Sequence, residues 1–204
     1  VHISSGLIEG GELSSDSSFL VFFRKTSSNL NSPDDTIFIL FFDSLEEKPL
    51  PVPDESKPRN LSIPALSNND KMVAVGYWDG KYSQLLLYNL ENYKIIQSIY
   101  VKSIITSLEF SLDNSQIAFG DQDGVIRIFD IKSNSISAYR FTDYTLIKEM
   151  SYLNSDEIRI KISSNEVFIW NIDSNEFYSD SEYLESITEE KWDLTPTPAA
   201  HPSQ

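Results

Sequence analysis

The sequence predicts an all-β chain built from about four antiparallel, four-stranded units. Three observations lead there. The apolar runs are short, rich in Ile, Val, Leu, Phe and Tyr, and bounded by polar turns. The same pattern recurs at a nearly fixed interval. No stretch sustains a capped, 3.6-period apolar pattern for long.

The recurring pattern is an apolar run, a polar turn, and a second apolar run ending on an aromatic residue followed by Asp or Asn. It is read in FLVFFRK…TIFILFFDS, KMVAVGYWDG…QLLLYNL, QIAFGDQDGVIRIFDI and EIRIKISSNEVFIWNI. The closing pairs are Phe42-Asp43, Tyr88-Asn89, Phe129-Asp130 and Trp170-Asn171, separated by 46, 41 and 41 residues. In VIRIFDI, Arg127 and Asp130 interrupt an otherwise apolar run, which suits a strand covered on both faces.

Outer runs flank each central hairpin: IITSLEFS and SISAYRFT in the third unit, NLSIPALS and KIIQSIYV in the second. The fourth unit has LIKEMSYL and a weak NEFYSD; the first has SGLIEGGEL and a poor fourth strand around KPLPV. The expected units are about 1–52, 58–101, 104–142 and 145–178, followed by a tail at 179–204. A four-stranded sheet cannot bury both faces alone, so such units stack radially as the blades of a β-propeller.

Residues 109–136, EFSLDNSQIAFGDQDGVIRIFDIKSNSI, resemble a WD40 repeat. The resemblance is good in the third unit, fair in the second and fourth, and poor in the first. It implies a WD40-like β-propeller, divergent because no Gly-His pair opens a repeat and only Trp170 supplies the aromatic Trp. The family's usual His–Ser/Thr–Asp–Trp network therefore cannot form in its standard version. Such propellers commonly close with about seven blades, so four imply a half ring. Further blades would come from a parent chain, another chain or a second copy.

The chain has 204 residues and a formal charge of −15, from 31 acids against 16 bases. That balance disfavours nucleic acid and anionic membrane surfaces, and fits a basic protein partner. There is no cysteine, and the two histidines, His2 and His201, lie near the ends, so cysteine-ligated zinc and His-based triads are not expected. VHISSGLIEGG has neither a basic leader nor an initiator Met and reads as part of a longer or processed protein. No apolar run is long enough for a membrane span, and the expected location is intracellular, in the cytoplasm.

Candidate interaction residues lie on turns. YWDGKYS places Tyr77, Trp78 and Tyr82 near one hairpin tip, and aromatic residues on loops are enriched at interfaces. The long first-unit turn, RKTSSNLNSPDDT, carries Asp34 and Asp35. PLPVPDESKPRN reads as a rigid link between the first two blades or as a polyproline ligand. The acidic tail segment YLESITEEKWDL reads as part of a further blade, a linker or a linear motif. Asp121 and Asp123 in DQDG suggest a fragment of a calcium loop, but no further oxygen ligand follows before Asp130. The repeat instead makes Asp121, Asp123 and Gly124 a hairpin turn, with Phe129, Asp130 and Trp170 as structural repeat positions.

No nucleophile elbow, phosphate loop or zinc-helix motif occurs. The expected function is a non-catalytic protein-interaction scaffold without cofactor or metal. The alternative is a propeller hydrolase using channel carboxylates or a metal, for which Glu9, Glu12, Glu109 and Glu149 on the innermost strands are scattered candidates. A third possibility, phosphoinositide binding, meets only one adjacent basic pair, Arg24-Lys25.

Overall fold

The structure, a computed structural model, describes residues 7–25, 36–52, 60–141 and 145–182. Four antiparallel sheets follow one another along the chain. The first blade holds β1 (Leu7–Leu13), β2 (Phe19–Lys25), β3 (Thr36–Phe41) and β4 (Glu47–Pro49), in that order. The second holds β5 (Asn60–Leu61), β6 (Ala65–Leu66), β7 (Met72–Trp78), β8 (Ser83–Asn89) and β9 (Lys94–Val101). Here β5 and β6 are two pieces of one interrupted first strand, both paired with β7. The third blade holds β10 (Ile105–Phe110), β11 (Gln116–Asp121), β12 (Val125–Asp130) and β13 (Ser135–Arg140). The fourth holds β14 (Ile147–Tyr152), β15 (Glu157–Ile162), β16 (Val167–Asn171) and β17 (Glu176–Ser179). The four blades are not closed into a ring.

Hydrogen bonds fix which positions are equivalent. At the end of each third strand, an N–H donates back to the first turn: Phe42 to Ser18 O, Leu90 to Lys71 O, Ile131 to Ser115 O and Ile172 to Asp156 O. Phe41, Asn89, Asp130 and Asn171 are therefore equivalent, which corrects the sequence alignment of the first unit. Its counterpart of the aromatic–Asx pair is Leu40-Phe41, and Phe42-Asp43 lies two residues further on. The lengthened turn of that unit hid the offset, and Phe42 stands 41% exposed.

In the other blades the Asx of the pair caps the hairpin between third and fourth strands. Asn89 Oδ1 accepts the N–H of Glu91 and Asn92, Asp130 Oδ1 that of Ser133, and Asn171 Oδ1 that of Ser174. Each hairpin then needs one left-handed residue, supplied by Tyr93, Asn134 and Asn175. The aromatic partner packs between blades: Tyr88, Phe129 and Trp170 are all buried. Trp170 stacks on Phe177 at 5.7 Å, lies 4.6 Å from Tyr139, and donates Nε1–H to Asn175 Oδ1.

Three apolar clusters fill the three spaces between blades. The first joins Val21, Phe23, Ile37 and Ile39 to Val73, Val75, Leu86 and Tyr88. The second joins Ala74, Leu85 and Leu87 to Ile117, Phe119 and Phe129. The third joins Ala118, Ile126 and Ile128 to Ile158, Ile160 and Trp170. Two glycines on second strands set the spacing. A Cβ on Gly76 would lie 2.8 Å from Ile105, and one on Gly120 would lie 2.5 Å from Ile147. Each glycine thus admits the isoleucine of the next blade's first strand. Phe23 holds the equivalent position in the first blade, since it pairs with β1 at the same register step. Its bulk occupies the space that glycine leaves elsewhere, and there the next blade's first strand is interrupted at 62–64.

Candidate interaction surface and axial groove

The turn between second and third strands is described in the second, third and fourth blades. In the second blade Asp79 Oδ1 accepts the N–H of Lys81 at 2.7 Å and of Tyr82 at 2.8 Å. These bonds, Tyr82's first, hold the Asp79 carboxyl below its ordinary range. Gly80, at φ 102°, turns the chain. Tyr82 is 38% exposed, with the Lys81 ammonium 4.9 Å above its ring, and Trp78 is half-buried. Tyr77 is different, and here the surface expectation is corrected. Only 2% of it is exposed, because alternation along β7 turns it into the cluster between the first two blades. Burial raises its phenol pKa. Asp34 and Asp35 lie outside the described residues.

In the third blade the same turn is DQDG. Asp121 is completely buried and does four things at once. Its Oδ1 accepts the N–H of Asp123 at 2.9 Å and of Val125 at 3.0 Å. Its Oδ2 pairs with the Arg127 guanidinium at 2.6 Å, and its carbonyl accepts the Gly124 N–H at 3.3 Å. Gly124 takes φ 77°. The pair of aspartates therefore divides: Asp121 organises the turn, while Asp123 contributes its backbone to it. Arg127 supplies the charge partner that the sequence reading did not identify; a cation six residues after a turn Asp, on the same face of the following strand, was the available signal. Among the described residues no group of three or more His, Asp or Glu could hold a metal.

A second region lies on the ring axis, along the innermost strands. Gly11, Glu12, Ile63, Thr106, Glu109 and Glu149 are among the residues lining a groove of about 230 Å³ there. The structure brings together carboxylates that look scattered in sequence. Glu12 and Glu109 occupy the same register position, opposite Val21 and Ala118. Burial, and then the Glu12 charge, push the Glu109 carboxyl up to about 7. Burial also raises Glu12, opposed by the Leu66 N–H, which donates to its Oε2 at 2.6 Å. Glu149 is exposed and reaches Lys161 Nζ at 3.2 Å. The Glu9 side chain lies outside what is described. Burial and the neighbouring charge thus favour the protonated form of Glu109. The described groove lining offers neither His nor Cys beside them.

The one adjacent basic pair is not presented as an anion site. Arg24 is 1% exposed, lies over the rings of Phe22 and Phe38 at 5.0 and 4.5 Å, and donates to both carboxylate oxygens of Glu47. No helix among the described residues is long and apolar enough to cross a membrane.

Four-stranded antiparallel sheets stacked face to face define the β-propeller fold, and solved WD40 propellers share it. The β-propeller domain of Myceliophteria thermophila Cps50 (Swd1) superposes with a TM-score of 0.68 at 16% identity, covering 87% of this chain and 56% of that one. The RRP9 WD40 repeats superpose at 0.67 and 14% identity, covering 87% and 52%. The chain thus spans just over half the length of these solved structures. No family model and no curated protein matches the sequence.

Proposed function

We propose that this chain is a non-catalytic protein-interaction scaffold, a four-blade segment of a larger propeller that presents its turns to a protein partner. The observation that carries this reading is the second-blade turn, where Trp78 and Tyr82 stand partly exposed on a hairpin pinned by Asp79. Large aromatic side chains lose little conformational entropy on binding and dominate interface energetics. The net charge of −15 favours a basic partner and disfavours nucleic acid and acidic lipid. The hydrolase alternative finds no supporting observation beyond the paired Glu12 and Glu109.

The test is affinity capture with the full chain and a Trp78→Ala, Tyr82→Ala variant. The variant should keep the far-ultraviolet spectrum and melting behaviour of the parent and lose the captured protein. Capture unchanged by the double substitution would move the interface elsewhere. Stoichiometric metal in the purified protein, lost on Glu109→Ala, would favour the enzyme.

A further inference from the structure

A pocket of about 110 Å³ opens between the first two blades, at the opposite end of the strands from the Trp78–Tyr82 turn. Phe19 and Phe41 of the first blade and Leu90 and Tyr93 of the second line it, together with Asp70 and Glu91. We infer that this pocket docks a protein partner through one aliphatic side chain flanked by lysine or arginine.

The repeat marks the pocket as a local departure. One wall is the register pair Phe19 and Phe41, with ring centroids 6.0 Å apart. The equivalent pairs are Met72 and Asn89, Gln116 and Asp130, and Glu157 and Asn171. In those three the Asx caps the following turn. Phe41 forgoes that cap and leaves its ring half-buried. The opposite wall departs as well. Tyr93 takes φ 59°, in the left-handed region, where the third and fourth blades use Asn134 and Asn175. Asparagine is enriched several-fold in that conformation, and a bulky residue is not. Three aromatic rings thus stand where the later interfaces have amides, carboxylates or Met72, against the preference of the turns that carry them.

Size and charge define the occupant. The pocket is smaller than the roughly 150 Å³ cavity that takes benzene, so it suits one Leu, Ile or Met side chain. The turns of the two blades at this end carry Asp16, Asp43, Glu46, Asp70 and Glu91, against Lys71. All of these acids but Asp70 are exposed. Asp70 accepts the Ser15 N–H at 3.0 Å. The nearby cations are engaged: Lys71 Nζ lies 3.2 Å from Glu91, and the Lys48 ammonium 3.3 Å from the centre of the Tyr93 ring. Lys71 and Glu91 are both well exposed, and such a pair exchanges partners at little cost. An apolar centre among acidic turns is the complement of a basic segment with one apolar anchor. The same charge disfavours the chain's own end beyond 182, where Glu185, Glu189, Glu190 and Asp193 stand against Lys191, and a second copy carrying −15.

The test uses the full chain and three fluorescent peptides: a Leu between two pairs of Lys, the same peptide with Ser replacing Leu, and the Leu between two pairs of Ser. Binding is read by anisotropy at physiological ionic strength. The first peptide should bind at least about tenfold tighter than either of the others, as burial of one leucine supplies. Tyr93→Asn gives the turn the residue of the third and fourth blades, so this variant should stay folded and lose the preference for Leu over Ser. Phe41→Asn, which restores the Asx of the second and fourth blades, should do the same, and decides the matter if Tyr93→Asn does not fold. Trp78 and Tyr82 are untouched, so failure here is distinct from failure of the scaffold surface. Equal binding of the basic Leu and Ser peptides would overturn the inference. So would a preference that survives both substitutions, equal binding of the neutral Leu peptide, or self-association of the parent that Phe41→Asn abolishes.

Discussion

Ile147 occupies the space that a side chain on Gly120 would need: a Cβ built there lies 2.5 Å from Ile147 Cγ2 and 2.6 Å from its Cβ. The contact joins the second strand of one blade to the first strand of the next. It is part of what sets how closely the third and fourth blades approach.

Gly120→Ala should therefore separate these blades. The expected cost is about 1–3 kcal/mol, the range for overpacking a filled core. Ile147→Ala in the same molecule should recover part of that loss, because it removes the atoms that clash. Denaturant unfolding of both single variants and the double variant closes the cycle. Additive losses would place the strain elsewhere.

Asp121 should be the costly member of DQDG. Removing it leaves Arg127 without its carboxylate and the N–H groups of Asp123 and Val125 without their acceptor. Asp121→Ala should cost about 3 kcal/mol or more, as for breaking a buried ion pair. Asp123→Ala should cost no more than about 0.5 kcal/mol, since the turn uses its backbone. Thermal melts of the two variants separate these outcomes.

The bonds between neighbouring turns are exposed, and their effect should be smaller. Asp70→Ala removes two acceptors from the Ser15 N–H and one from its hydroxyl, and should cost about 1 kcal/mol. Hydrogen exchange at the Ser15 amide should quicken while exchange in β11 and β12 stays slow.

Glu109 makes stability depend on pH. Its carboxyl sits at about 7 in the folded chain, above the ordinary 4.5 of the unfolded one. Folding therefore favours the protonated form. The stabilisation is fully present below about pH 4.5 and is lost as pH rises through about 7. Glu109→Gln should raise stability above pH 7, by about 1 kcal/mol after allowing for partial solvent exposure, and should have little effect at pH 4. Urea midpoints at the two pH values measure it.

Much of the architecture was legible because a hairpin records itself locally. Asp130 caps its own turn three residues ahead, and Asn89 and Asn171 do the same, so the period survives in the sequence whatever packs around it. The first unit was misaligned by two residues because its turn is longer and its counterpart of the aromatic–Asx pair, Leu40-Phe41, lacks the Asx that marks the others. The candidate surface was only partly legible. Trp78 and Tyr82 are partly exposed, but the fate of Tyr77 depends on which face of β7 meets the first blade.

Taken alone, the sequence determined the strands, their turns and the repeat, all consequences of alternation and of Asx and Gly chemistry within a few residues of each other. Tertiary structure alone decided two things: that Glu12 and Glu109, 97 residues apart in sequence, share one groove, and that Arg127 reaches the buried Asp121. The physical reason is that blade stacking brings together residues about one repeat or more apart, and strand alternation fixes only that two faces exist, not which neighbour each will meet.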